Sequence, residues 1–157
     1  MTNPDLQSIE NEEQLKNVLQ TPYPEDVEFA GELDGDVMIL GAGGKVGPTL
    51  IGRIVRASEK AGVDRTVYAV DLYPDPDVKS DLEALGAETI EADLLDKETL
   101  ESLPDCENVI YMVGRKFGTS GEEHLTWGIN AYLPGEVARR FDDSRIVAFS
   151  TGNVYPP

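Results

Sequence analysis

The residues best placed to do chemistry in this chain are glycines. Gly41, Gly44 and Gly47 recur at intervals of three, with Gly43 as an extra, directly after the apolar run Val37-Met38-Ile39-Leu40. A glycine-rich turn between a strand and a helix lets backbone amides approach an anion that a Cβ would hold off. The first turn of the following helix adds free N–H groups and a positive dipole end. Lys45 and Val46 lie in that turn, and Pro48 falls just inside the helix, where its missing N–H costs least. The chemistry implied is the binding of a diphosphate. Two other phosphate loops are excluded. A Walker loop ending at Gly44-Lys45 needs glycine at position 39, which is Ile, and Ser or Thr at 46, which is Val; a G-x-G-x-x-G loop starting at Gly41 needs glycine at 46 as well.

Asp71 is the second group, closing the segment Arg65–Asp71 and standing 24 residues beyond Gly47. A ribose-binding acid is expected ~20 residues after such a turn. Its carboxylate would accept hydrogen bonds from both ribose hydroxyls and repel a 2′-phosphate, which favours NAD over NADP. Lys45, a nearby cation, could tolerate the extra phosphate; the plain alternative for Asp71 is an acidic loop residue. Asp93-Leu94, after the segment Glu88–Ala92, could sit beside an adenine ring, and Asp93 could equally cap the turn that follows. Ser150 and Thr151 place two hydroxyls at the end of Arg145–Thr151. His124 is the only histidine and has no Cys or paired acids at ligand spacing, so it reads as a surface or capping residue and no metal site is expected.

The elements that must position these groups alternate. Strands are expected at Val37–Leu40, Arg65–Asp71, Glu88–Ala92, Asn108–Gly114 and Arg145–Thr151. The first and fourth are apolar throughout, as strands covered on both faces of a parallel sheet are. Helices are expected after the glycine turn, with Val46, Leu50, Ile51, Ile54 and Val55 as the apolar stripe, then over Val78–Leu85 up to Gly86, over Lys97–Leu103, and over Leu125–Phe141 with a kink at Pro134-Gly135. The pattern predicts an α/β, Rossmann-type doubly wound parallel sheet of five strands in the order 3-2-1-4-5. Residues 1–35 form a helical extension ahead of the nucleotide-binding domain at 36–157. Its first helix, over residues 10–19, reads as capped from Ser8 with Ile9, Leu15, Val18 and Leu19 on one side; it ends at Thr21-Pro22-Tyr23-Pro24, and a further turn spans Val27–Leu33. A structural role is expected for it, packing on the sheet edge or on the second subunit of a homodimer.

Composition narrows the partners. With 30 acidic and 13 basic residues among 157, the net charge is −17. That opposes nucleic acid and anionic membranes, both of which need clustered Lys and Arg. A highly solvated surface and a high-salt habitat would both produce it. Cys106 stands alone, so no intrachain disulfide forms and a reducing compartment is expected. Without a membrane-length apolar run or a leader at Met1, the expectation is a soluble, cytoplasmic protein.

Taken together, Gly41-x-x-Gly44-x-x-Gly47, Asp71, Asp93-Leu94 and Ser150-Thr151-Gly152-Asn153-Val154-Tyr155 resemble the extended short-chain dehydrogenase/reductase family of NAD-dependent sugar epimerases and dehydratases. The resemblance spans residues 36–155. It implies an oxidoreductase that uses NAD to oxidise a hydroxyl of a sugar or nucleotide-sugar, a small-molecule substrate. It also implies that Thr151 hydrogen-bonds the substrate oxygen at the reacting carbon, that Asn130 supports the site, and that Val113 and Gly114 lie against the ribose and nicotinamide. The family's Tyr-x-x-x-Lys pair and its C-terminal substrate-binding part are absent here. Lys45 stands where the family has an aromatic or apolar residue, and Val113-Gly114-Arg115-Lys116 replaces its small-residue pair. A non-catalytic dinucleotide sensor or scaffold with the same fold is the alternative.

Overall fold

The computed structural model describes residues 9–115 and 120–150. At its centre β1 (Val37–Leu40) runs between β2 (Val67–Asp71) and β4 (Asn108–Tyr111), with β3 (Glu88–Glu91) and β5 (Arg145–Ala148) outside them. The sheet is parallel and its order is 3-2-1-4-5, as the alternation of elements predicts. All four residues of β1 are buried, and they divide by parity. Val37 and Ile39 join one apolar cluster, Met38 and Leu40 the other. A strand that feeds two cores cannot alternate apolar with polar, and this is why its sequence is an unbroken run.

On the first face lie α3 (Gly47–Ala61) and α4 (Pro76–Ala84), with Ile51, Val55 and Leu82 in the cluster. On the second face α5 (Lys97–Ser102) and α7 (Leu133–Arg140) contribute Leu100, Leu133 and Val137. The stripe of α3 on the sheet runs from Gly47 through Ile51 and Val55, with Ile54 half-buried beside it, whereas Gly52 is buried against Gln20 of the first N-terminal helix. Val46 is not part of the stripe: it precedes the helix and is 52% exposed.

Between α6 (Glu123–Trp127) and α7 the helix widens into a π-helical turn, Gly128–Tyr132. The kink expected at Pro134 is this turn. Pro134 has no N–H to offer one turn back and its ring crowds the preceding turn, so the ladder shifts and Leu133 N–H reaches Gly128 C=O instead.

The N-terminal helices depart from expectation in two ways. The cap of α1 (Glu12–Gln20) is Asn11, whose side chain accepts from Gln14 N–H at 2.9 Å. Ser8 lies outside the described residues. Leu15, Val18 and Leu19 stay substantially exposed. Both α1 and α2 (Pro24–Glu32) pack on α3 rather than on the sheet edge. Gln20 is buried against Gly52 and donates to Pro48 C=O at 3.4 Å, while Arg53 donates from Nε to Asp26 at 2.9 Å and lies over the Tyr23 ring at 4.4 Å. Past β1, on the α3 side, the described residues leave the sheet open. Phe29, Leu50, Ile54, Ile110 and Val147 line an open apolar cleft of about 370 Å³ there.

The end of the sheet opposite the glycine turn is knotted around residues 34–36. Asn108 Nδ2 donates to Asp34 and Asp36 carbonyls at 2.9 and 2.8 Å, Arg145 donates to Asp34 C=O at 2.9 Å, and Glu107 accepts from Asp36 N–H at 2.9 Å. The Asp36 amide holds the Glu107 carboxyl below the usual carboxylate range. A carboxylate depressed in the fold contributes stability that is present above its ordinary pKa and lost as pH falls through the lower, folded value. Glu107→Gln is therefore expected to lower the melting temperature at neutral pH and to differ little from the parent at acid pH, read by thermal melts across pH. An unchanged difference at every pH would remove the charge from the explanation.

Candidate functional site

The carboxyl ends of β1, β2 and β4 converge on the glycine turn. Gly41 has φ +89°, a conformation that L side chains rarely adopt, and a Cβ there would lie 2.9 Å from Val113 N. Its amide and that of Ala42 both donate to Val70 C=O, at 2.9 and 3.1 Å, so the turn is pinned on β2 as well. Gly47 begins α3 so close to the turn backbone just past β1 that a Cβ would fall 1.8 Å from Ala42 O. The glycine here is a packing requirement.

Gly44 differs. A Cβ on it would meet only Gly41 O, at an ordinary 3.5 Å, and the residue is exposed. The neighbouring Lys45 and Val46 are exposed too, and their amides find no acceptor among the described residues. This is the open side of the turn, two free N–H groups beside the N-terminus of a 15-residue helix, and an anion suits it.

Asp71, at the end of β2, reaches into the same turn. Its Oδ2 accepts from Gly43 N–H at 2.9 Å and its Oδ1 from Tyr73 N–H at 3.3 Å, while its carbonyl accepts from Ala92 N–H at 3.0 Å. A Cβ on Gly43 would approach the Asp71 carboxylate at 3.1 Å. Gly43 is thus part of the site, although its position outside the three-residue repeat makes it look incidental; the adjacency of Gly43 and Gly44 was the available clue.

Asp93 and Leu94 serve the fold. Asp93 Oδ1 accepts from Leu95 N–H at 3.0 Å and its carbonyl from Asp96 N–H at 3.1 Å, so it makes the turn into α5. Leu94 is 7% exposed and belongs to the core, because the turn that Asp93 builds leads its neighbour inward.

At the β4 end, Val113 packs on the second-face core and Gly114 is exposed, with Asn130 Oδ1 at 3.9 Å from where its Cβ would be. Asn130 clasps the backbone of Arg115 from both sides, accepting from its N–H at 2.8 Å and donating to its C=O at 2.7 Å. Tyr111 O–H donates to Ile129 C=O at 3.1 Å, so three hydrogen bonds moor the π-helical turn, one to β4 and two to the backbone that follows it. Burial pushes the Tyr111 hydroxyl up to about 12, and it pushes the Tyr73 hydroxyl up as well, with the Asp71 charge adding to the effect. Neither is poised to exchange protons near neutrality. Cys106 is buried, its thiol pushed up by burial, and lies in the core. Thr151 and the remainder of the Ser150–Tyr155 stretch, Ser150 apart, lie outside the described residues.

No family model matches the sequence, and no curated protein does. Among solved structures, the chain is similar to the ADP-L-glycero-D-manno-heptose-6-epimerase of Helicobacter pylori, with a TM-score of 0.64 over 85% of this chain and 42% of that one, at 18% identity. The likeness is one of fold. This chain spans less than half the length of that epimerase. No helix among the described residues is long and apolar enough to cross a membrane.

The clasp on Arg115 generates a prediction. Asn130→Ala should speed amide exchange at Arg115 and cost roughly 0.5–1.5 kcal/mol per hydrogen bond lost, nearer the lower figure because the residue is exposed. Exchange-detected NMR and a denaturant melt on one sample check it. Unchanged protection at Arg115 would mean that the loop holds itself.

Proposed function

We propose that this chain binds NAD as the dinucleotide-binding part of an epimerase/dehydratase-like oxidoreductase acting on a hydroxyl of a sugar or nucleotide-sugar. The observation that carries the reading is the meeting of Asp71 with the glycine turn: an acid at the end of β2, bonded to Gly43, beside the open amides of Lys45 and Val46. The residues present fit a dinucleotide. Gly44 leaves room that a side chain would fill, the two free amides suit a diphosphate, and the Asp71 carboxylate, holding one donor on each oxygen, retains lone pairs for ribose hydroxyls.

When bound, the nicotinamide would accept hydride from the substrate carbon. The chain's own residues would do the rest. Gly44, Lys45 and Val46 would bind the diphosphate, and Gly41 and Gly47 would keep the turn on the sheet. Val113, Gly114 and Asn130 would shape the wall beneath the reacting end. Thr151 would donate a hydrogen bond to the substrate oxygen, where charge develops as alcohol and carbonyl interconvert. The likeness of fold to an epimerase and the motif resemblance support this class. So does the charge of −17, which favours a small-molecule partner over nucleic acid or an anionic membrane, and the lone cysteine suits a cytoplasmic setting. A homodimer is the assembly we would look for first.

A binding module without turnover is the second reading. A Tyr-x-x-x-Lys pair downstream of Thr151 in the coding sequence would favour the enzyme over this reading.

Calorimetric titration with NAD and NADP in parallel tests the reading. NAD is expected to bind more tightly, and Asp71→Ala should weaken NAD by about 1–3 kcal/mol, the size of a charge-assisted hydrogen-bond loss, with less effect on NADP. Equal losses would leave Asp71 a loop acid. Turnover of nucleotide-sugars by the 157-residue chain is not expected, and its detection would reject the binding-only reading.

The two ends of the turn give a further expected contrast. Gly44→Val should abolish dinucleotide binding with the melting temperature nearly kept. Gly47→Val should chiefly destabilise, by at least the ~1–3 kcal/mol of an overpacked core, because the clash is with backbone. Like behaviour of the two variants would refute the division of roles.

A further inference from the structure

Tyr73 stands out beside Asp71. Among the described residues it is the one non-glycine with positive φ, +46°, a conformation awkward for a large aromatic residue. It is also 7% exposed and packed in the first-face cluster. Its hydroxyl donates to Ala69 C=O at 2.6 Å, two residues before Asp71 on the same strand. Its N–H donates to Asp71 Oδ1 at 3.3 Å.

These observations have one arrangement in common. The ring is anchored by burial and by the Ala69 bond, and an anchored ring at position 73 makes the backbone double back in the left-handed region. Doubling back turns the Tyr73 amide onto one oxygen of Asp71, while the Gly43 amide holds the other. The carboxylate is then gripped from both sides before any ligand arrives. Strain maintained by packing next to a binding group is a way of fixing that group in advance.

We infer that Tyr73 is a positioning residue that sets the preference for a free 2′-hydroxyl over a 2′-phosphate by orienting the Asp71 carboxylate through its own left-handed backbone. The inference rests on the reading of Asp71 as the ribose-binding acid.

The test separates the conformation from the ring. Tyr73→Gly and Tyr73→Val both lose the buried ring, so both should melt lower. Glycine accepts positive φ and valine resists it. Binding of NAD and NADP is measured by calorimetry, and protection of the Gly43 amide by hydrogen exchange. Tyr73→Gly is expected to keep the NAD-over-NADP ratio within about twofold, whereas Tyr73→Val should lose NAD affinity by about tenfold with NADP little changed, a shift of about 1.4 kcal/mol. Gly43 protection should fall in the valine variant and persist in the glycine variant.

If Tyr73→Val does not fold, Tyr73→Ala against Tyr73→Asn makes the same contrast, because Asn tolerates the left-handed region. Equal ratios in the two variants, with the parent preferring NAD, would overturn the role of Tyr73 and leave the dinucleotide reading standing. A parent that binds neither dinucleotide would overturn that reading and the inference together, whatever the exchange data say about the grip on Asp71.

Discussion

Where α3 leaves the glycine turn there is no room for a side chain. The first helical residue, Gly47, sits against the carbonyl of Ala42, two residues past β1, so the helix begins as close to the end of the strand as the turn's backbone allows. Much follows from this contact. It brings Ile51 and Val55 down onto the sheet, it turns the open helix end toward the ends of the strands, and it fixes the outer surface of α3 on which α1 and α2 rest. The N-terminal helices depend on the same compactness at a second place, where Gly52 admits the buried side chain of Gln20.

The candidate site is held by bonds between elements far apart in sequence. Gly43 is tied to Asp71 on β2, Gly41 lies against the backbone after β4, and Asn130 and the π-helical turn hold that backbone from the other side. Each strand end is thereby braced by a neighbour's loop. A site made of backbone amides needs such bracing, because amides have no side-chain rotamers with which to adjust to a ligand.

Much of the fold was legible because it follows from period and punctuation. An apolar run without alternation can only be a strand buried on both faces or a buried helix, and the glycine turn decided in favour of the strand at 37–40. Gly86, with φ +92°, ended α4 as a glycine of that kind does. The glycine turn and Asp71 could be picked out by their spacing, whereas Val113 and Gly114 were marked only by the family resemblance. What was hidden depends on contacts that no local pattern encodes. The Asn11 cap is the exception, a local bond to Gln14 three residues on that the choice of Ser8 passed over. Val46 has the right spacing for the α3 stripe but precedes the helix, so the geometry that spacing assumes does not apply to it. Leu94 is core because Asp93 makes a turn, and the importance of Gly43 appears only when Asp71 is brought beside it. Nothing in an Asp-Leu-Tyr sequence announces a left-handed tyrosine.

The uneven covering of the sheet has a dynamic consequence. β1 is wrapped on both faces, whereas β5 is an edge strand with helix packing on one face only, through Ile146, while Arg145, Val147 and Ala148 are exposed. Its attachment is mainly a ladder to β4, including Arg145 N–H to Glu107 C=O at one end and Phe149 N–H to Tyr111 C=O at the other. Local opening costs least where few apolar contacts must be broken. On the β4 side of the sheet β5 is therefore the strand that detaches at the lowest free energy, and amide protection should fade outward from β1 across β4 to β5. The two walls of the apolar cleft should differ accordingly in timescale, the wall at Val147 on β5 opening faster than the wall at Val37 on β1.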